Sequence, residues 1–282
     1  MGNIGVPPSV VVVEARPAPS ATRRRRRARD ARWLWALRPL SVVLVLVAWE
    51  WYGRHTNPIL FTYPTAIARA GIALAMHGDL TRPTVQSMSV LGWGLGLSIV
   101  VGVALGLAMG RSRVIDGLLD VPFNALYATP LVALVPVIVL WVGFGPNAKV
   151  LVVFLFAVFA ILFSTARGVR EVDSQLIEVA RSYLATEVGL WKDVVLPSAL
   201  PYIVTGIRLA VGRALVGVII AEFYTSIGGF GYLIVTYANT FQTAKVFVPV
   251  VILMSLGVGL TAALELLERQ LAPWKRKEEQ RT

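Results

Sequence analysis

Apolar residues in this chain gather into runs of about 17–26 residues separated by short polar segments, the length a helix needs to cross ~30 Å of hydrocarbon. The runs fall at about residues 35–53 and 85–109, in a proline-interrupted stretch ending near Val142, and at about 149–165, 203–224 and 246–267. Without water in the bilayer, each backbone amide must bond within its own segment, so each run is predicted to be a helix. The expected fold is all-α: a membrane protein with six transmembrane helices. Its expected parts are a disordered basic tail over 1–32, a transmembrane domain over 33–270 with a long polar loop at about 166–200, and a short tail over 271–282.

The segments between the runs add detail. Residues 54–84 are too polar to span, but Pro64–His77 suits a short surface helix with Ile67 and Leu74 on its apolar side. In the second run, Gly92 and Gly96 are four apart, as are Ser98, Gly102, Gly106 and Gly110, so small groups share helix faces where a neighbour packs closely. Gly92, Gly94 and Gly96 lack the strand-turn-helix setting of a nucleotide fingerprint. Pro122, Pro130 and Pro136 interrupt the third run, and such breaks often border a translocation path. Ser226–Lys245 is glycine-rich and semi-apolar, suiting a re-entrant or surface loop.

Composition agrees: 56% of residues are hydrophobic and 15% charged, against about 45–50% and 25% in soluble domains. A net charge of +11 is compatible with nucleic-acid binding, but its placement follows the membrane-orienting rule instead. Of the 27 lysines and arginines, 20 lie in the N-terminal tail, the 111–113 turn, the 167–192 loop and the C-terminal segment. Arg54, Arg69, Arg82, Lys149 and Lys245 make up the opposite side. Both termini and the 166–200 loop are therefore expected in the cytoplasm, in a multi-pass protein of the bacterial cytoplasmic membrane. Trp33, Trp35, Trp49, Trp51 and Tyr52 flank the first run as interface anchors, and no small-residue cleavage site follows it, so it is expected to stay in place. With no cysteine, and with His55 and His77 far from zinc spacing, no metal site is expected. No clustered nucleophile, base and metal ligands appear, so no catalytic residue is assigned.

The 166–200 loop contains Glu178-Val179-Ala180-Arg181-Ser182-Tyr183 and then Val194-Val195-Leu196-Pro197. This resembles the signature of permeases from binding-protein-dependent ABC importers: Glu-Ala-Ala, three residues, Gly, nine residues, Ile, one residue, Leu-Pro. Glu178, Ala180 and Leu196-Pro197 match, and Val179 and Val194 are mild replacements. Leu184 stands where the family has Gly, which removes the usual cause of a sharp turn and leaves Gly189 as the nearby break. Arg167-Gly168-Val169-Arg170, Leu200-Pro201-Tyr202-Ile203, Gly206-Ile207-Arg208 and Gly231-Tyr232-Leu233-Ile234 are similar to the nitrate, taurine and alkanesulfonate branch.

The resemblance implies that Glu178, Val179, Ala180, Arg181, Leu184, Leu196 and Pro197 form an ATPase-coupling element. Residues 171–183 suit a short amphipathic helix with Leu176, Ile177 and Ala180 on one side, and Pro197 and Pro201 are expected to stop one helix and start the next. The implied partners are two ABC ATPase subunits, a second permease copy in a homodimer, an extracytoplasmic solute-binding protein and membrane lipid. No phosphate-binding loop is present, so no cofactor is expected in this chain, and ATP would be bound by the partner ATPases. Ser226-Ile227-Gly228-Gly229 superficially matches part of an ATPase signature but lies on the expected outer side. The alternative is an ion-gradient-driven secondary transporter, which would need intramembrane carboxylates or repeated broken helices.

Two residues are candidates for the translocation path, Arg213 and Glu222. Arg213 lies about ten residues, or ~15 Å, into the fifth run, where an arginine is costly and by default functional. One reading places it on the pathway of an anionic solute, and the other has it pairing with a helix carbonyl or carboxylate to hold the bundle. Arg208, about 140° away around the helix, is expected to snorkel to the interface.

Overall fold

The computed structural model describes residues 21–271, all of whose regular elements are helices. They divide into two compact units, residues up to Tyr52 and residues from Gly53 onward. The first holds all but the last two residues of the helix α1 (Ala21–Arg54), which contains Pro39 and the expected first span. Residues 21–32 of the expected disordered tail are therefore helical, while 1–20 and 272–282 lie outside the described residues.

The second unit begins with α2 (Pro64–Met76), the expected surface helix, whose Pro64 takes a first-turn position where no N–H is needed. Then follow α3 (Thr81–Arg111), α4 (Arg113–Ala128), α5 (Leu131–Val142) and α6 (Pro146–Arg170). After these come α7 (Ser174–Ser182), α8 (Glu187–Leu190), α9 (Leu196–Thr225), α10 (Phe230–Asn239) and α11 (Thr243–Leu271). Among the described residues, four helical stretches are long and apolar enough to cross a membrane: α3, α6, 187–225 and α11. The expected third span is instead the pair α4 and α5, which bend by 98° across Thr129–Pro130. Pro130 cannot donate a backbone bond, and it biases the residue before it away from helix, which places the break there.

The core is built around α6. Val152, Val153, Ala157, Ile161 and Thr165 are wholly buried, between α3 on one side and α9 on the other. Both seams are tight because the flanking helices present small residues. A Cβ added to Gly94 would lie 2.5 Å from Val153, one on Gly102 2.9 Å from Ile161, and one on Gly106 2.6 Å from Thr165. On the α9 side, Gly206 approaches Ser164 and Gly217 approaches Phe156. Ser98 Oγ contributes a hydrogen bond across the α3 seam to the Phe154 carbonyl at 3.1 Å. Lipid is as apolar as leucine, so close van der Waals contact, rather than hydrophobic expulsion, holds such helices together. The Ser98–Gly110 stripe is thus used within the chain, whereas Gly92 and Gly96 face outward with nothing within 4 Å.

Candidate functional site

At the end of the bundle where α6 leaves and α9 enters, the chain forms a hairpin of short helices. Asp173 caps α7 by accepting from the Gln175 amide at 2.8 Å, and Thr186 caps α8 by accepting from Gly189 at 3.2 Å. Between them α7 ends in a tight reversal. The Ala185 amide reaches back to the Ala180 carbonyl at 3.1 Å and the Leu184 amide to Arg181 at 2.9 Å, with Leu184 in the left-handed region at φ 61°. This is the paired closing arrangement that normally has Gly at the left-handed position. The sharp turn is therefore retained at Leu184, and Gly189 is not the break but lies inside α8. Leu184 is 90% exposed, so its side chain gains little that would offset the strain. Leu184→Gly should be neutral to slightly stabilising, by up to about 1 kcal/mol, as relief of the left-handed penalty outweighs glycine's added chain entropy. Thermal unfolding in detergent checks this, and a clear drop in melting temperature contradicts it.

The two prolines behave differently from expectation. The helix starting at Glu187 runs without interruption to Thr225. Pro197 and Pro201 both lie inside it, and just before Pro197 the Trp191–Val195 segment widens to a π-helical turn, in which the Leu196 amide bonds the Trp191 carbonyl five residues back. That local widening accommodates the ring that would otherwise clash with the preceding turn.

Glu178, Val179 and Arg181 lie exposed on α7, with Leu176, Tyr183, Leu184 and Val188 adding large exposed apolar groups around them. Of Leu176, Ile177 and Ala180, expected on one side of this helix, only the latter two are half-buried. Leu196 and Pro197 lie further along, beyond the π turn, and only Leu196 is exposed. Ion pairs brace the hairpin internally and tie it to the bundle. Arg111 at the end of α3 holds Glu187 at 2.7 Å and lies 5.8 Å from the Trp191 ring, and Arg181 reaches Glu187 at 4.0 Å. Arg170 pairs with Asp116 of α4. Glu171, just beyond α6, accepts from the Tyr202 hydroxyl and from Arg167, and these two donors, the tyrosine first, hold its carboxyl below the usual carboxylate range.

The two intramembrane candidates are not brought together. Glu222 is fully buried near the far end of α9. Its carboxylate accepts from Ser87 of α3 at 2.7 Å and from the Gly231 amide at 2.7 Å, while Ser87 in turn accepts from the Phe230 amide at 2.9 Å. Two of the unpaired N–H groups at the start of α10 are thereby satisfied. Nearby, Lys149 donates to the carbonyls of Ile227 and Gly228 at 2.8 and 3.2 Å. Ser226-Ile227-Gly228-Gly229 is thus the turn that wraps this carboxylate. A Cβ at Gly229, which has φ 93°, would lie 2.1 Å from Glu222 Oε1. The presence of Gly at this position is explained by geometry, not by nucleotide chemistry.

Arg213 lies twelve residues before the end of α9, about 18 Å along its axis. It faces a cavity of about 370 Å³ lined by Tyr127, Thr129, Leu131, Phe156, Gly212 and Val216. Its partner is neither carbonyl nor carboxylate: one Nη donates to the Tyr127 hydroxyl at 2.6 Å, with the guanidinium carbon 4.9 Å from that ring's centre. Tyr127 is braced edge-on against Phe159 and Phe163 of α6. The α4–α5 break therefore borders the cavity, as proline breaks often do. The one sequence clue to Tyr127 was its position just before that break. Arg208, by contrast, reaches toward the C-terminal end of α11. It pairs with Glu268 at 2.7 Å and Glu265 at 3.7 Å on α11, leaving its Nε buried without a hydrogen-bond partner.

Residues 98–273 match the family described as binding-protein-dependent transport system inner membrane component, a match spanning α4 to α11, including the α7–α8 hairpin. The chain belongs to that family. It is an ABC transporter permease, a multi-pass protein of the inner membrane. It is 31% identical over 246 residues to the putative aliphatic sulfonates transport permease protein SsuC of Bacillus subtilis (strain 168), covering 86% of this chain and 89% of the relative. It is 32% identical over 245 residues to the formylaminopyrimidine transport permease protein ThiX of Halalkalibacterium halodurans, covering 86% and 98%. An inward-facing structure of the MetNI methionine ABC transporter superposes with a TM-score of 0.57 at 18% identity, over 70% of this chain and 98% of that one, and so shares the fold. The ion-gradient-driven alternative is left without support.

Proposed function

We propose that this permease is the membrane subunit of an ATP-driven importer that forms the path for a small anion, such as a sulfonate, delivered by a solute-binding protein. The observation that carries the anion reading is Arg213: a cation deep in a span, opening onto a cavity and held by a neutral phenol rather than neutralised by a carboxylate. An uncompensated positive charge in low dielectric attracts an anion strongly. The likeness to an aliphatic sulfonates permease supports the sulfonate choice.

In this reading six spans cross the membrane: one in α1, then α3, the broken pair α4–α5, α6, α9 and α11. Both termini are cytoplasmic, with tails over 1–32 and 271–282 flanking the permease domain. The α7–α8 hairpin then faces the cytoplasm, where Glu178, Val179, Ala180, Arg181, Leu184, Leu196 and Pro197 meet the ATPase that binds ATP. Two permease copies and two ATPases make the two-fold assembly. The α3 glycine stripe does not serve this dimer, because α6 covers it. Glu222 serves the path indirectly, by fixing the start of α10.

Uptake by the reconstituted permease–ATPase complex with its binding protein tests the reading. Arg213→Gln should assemble normally and lose at least about tenfold of anion uptake, the size of effect that follows from removing one charge-assisted contact of roughly 1.5–3 kcal/mol. Unchanged anion uptake by a normally assembled Arg213→Gln complex would falsify the pathway role.

A further inference from the structure

We infer that the Arg213 cavity is a binding subsite for an organic monoanion with a short apolar tail, and that the Tyr127 hydroxyl is the group that presents the anion-binding proton. The inference rests on the importer reading above and narrows its solute class.

The hydrogen-bond geometry assigns the polar end. Tyr127 accepts from Arg213 Nη, so the phenol's own proton is free to donate. A hydroxyl that accepts from a cation is polarised, and it then donates more strongly. Arg213 uses one of its five N–H donors on Tyr127 and keeps others for the cavity. Thr129 does not add a third donor, because its hydroxyl proton is committed to the Ala125 carbonyl at 2.9 Å. The donors therefore converge from one side only.

The remainder of the wall is Leu131, Phe156, Gly212 and Val216, which offers no side-chain hydrogen bond. A bare inorganic anion such as nitrate or sulfate would lose hydration against the apolar wall and gain nothing there in return. An anion with a compact charged group and an alkyl tail matches both halves, and about 370 Å³ leaves ample room for it. Gly212 has nothing within 4 Å of a built Cβ, so the tail side is open at the backbone itself.

The test is isothermal titration calorimetry on the purified nucleotide-free permease–ATPase complex. The probes are methane-, butane- and hexanesulfonate, with sodium nitrate and sodium sulfate as comparison. Affinity should tighten by roughly threefold to fourfold per added methylene until the cavity is filled, and nitrate and sulfate should bind at least ~100-fold more weakly than hexanesulfonate. Tyr127→Phe, which keeps the ring against Phe159 and Phe163, should weaken all three sulfonates by about tenfold with the same dependence on chain length. Gly212→Leu, which fills open space, should weaken hexanesulfonate far more than methanesulfonate. Equal binding of nitrate and hexanesulfonate would overturn the inference, as would a Tyr127→Phe complex with unchanged affinity. So would a complex that takes up another solute with ATP yet binds none of the sulfonates, and in that case the importer reading survives. Loss of ATP-driven uptake for every solute tried would overturn both.

Discussion

Complexes carrying Glu178→Lys or Ala180→Trp are expected to insert normally and lose ATP-driven uptake by at least about tenfold. Glu178 projects from the exposed face of α7 amid Leu176, Val179, Tyr183 and Leu184, so nothing in the bundle depends on its carboxylate. Once an ATPase covers that face, the carboxylate is desolvated against it. Placing the wrong charge inside a closed protein interface costs several kcal/mol. Ala180 acts differently. It is half-buried on the side of α7 turned toward the bundle, and its carbonyl closes the turn through Ala185. An indole there pushes α7 away from α8, which Arg111 and Glu187 hold in place. Movement of the ATPase would then reach a loose helix rather than one braced on α3 and α9. The measurements are co-purification of the ATPase, ATP hydrolysis and uptake in proteoliposomes. Normal uptake by both variants with normal docking would show that coupling runs elsewhere.

The second large effect is expected at Glu222. Glu222→Ala should lower stability by about 3 kcal/mol or more, because the Gly231 amide and the Ser87 hydroxyl both lose a buried acceptor. An apparent melting temperature roughly 5–10 °C lower in detergent is the corresponding readout. Glu222→Gln keeps a carbonyl acceptor and should fall less. The loss should be structural rather than selective: surviving protein should discriminate among solutes as before, unlike Arg213→Gln. A Glu222→Ala protein that melts with the parent would show that the bracket contributes nothing.

The contrast between these two residues shows how far the sequence reaches. A glutamate and an arginine inside the same long span carry the same sequence-level warning, because either charge is expensive there. Their roles diverge only through residues remote in the chain. Ser87 and Gly231 surround Glu222, while Tyr127, from a helix 86 positions earlier, meets Arg213. Likewise Lys149, counted only as an outer-side charge, turns out to fasten the Ser226–Gly229 turn.

Local pattern was sufficient where the physics is local. The apolar runs located α3, α6, α9 and α11, since hydrocarbon thickness and backbone satisfaction dictate helix length without reference to neighbours. Glu178 to Pro197 marked the hairpin, and the prolines near 130 marked a break. Even so, Pro197 and Pro201, expected to stop one helix and start the next, both lie inside the continuous helix over 187–225. A proline's effect depends on whether the preceding turn can widen, and before Pro197 the Trp191–Val195 turn does so.

What the sequence by itself determined, then, is that this chain is a helical membrane protein with small residues every fourth position on α3 and a charged hairpin between α6 and α9. Four-residue spacing sets which residues share a helix face, but not what that face meets. Only the packed structure decided that Ser98, Gly102, Gly106 and Gly110 meet α6 while Gly92 and Gly96 look outward. Only the packed structure put Arg213 beside Tyr127 at the 98° bend. The reason is that a helix's period is written into its own residues, whereas the partner of each face is chosen by close packing among helices far apart in the chain.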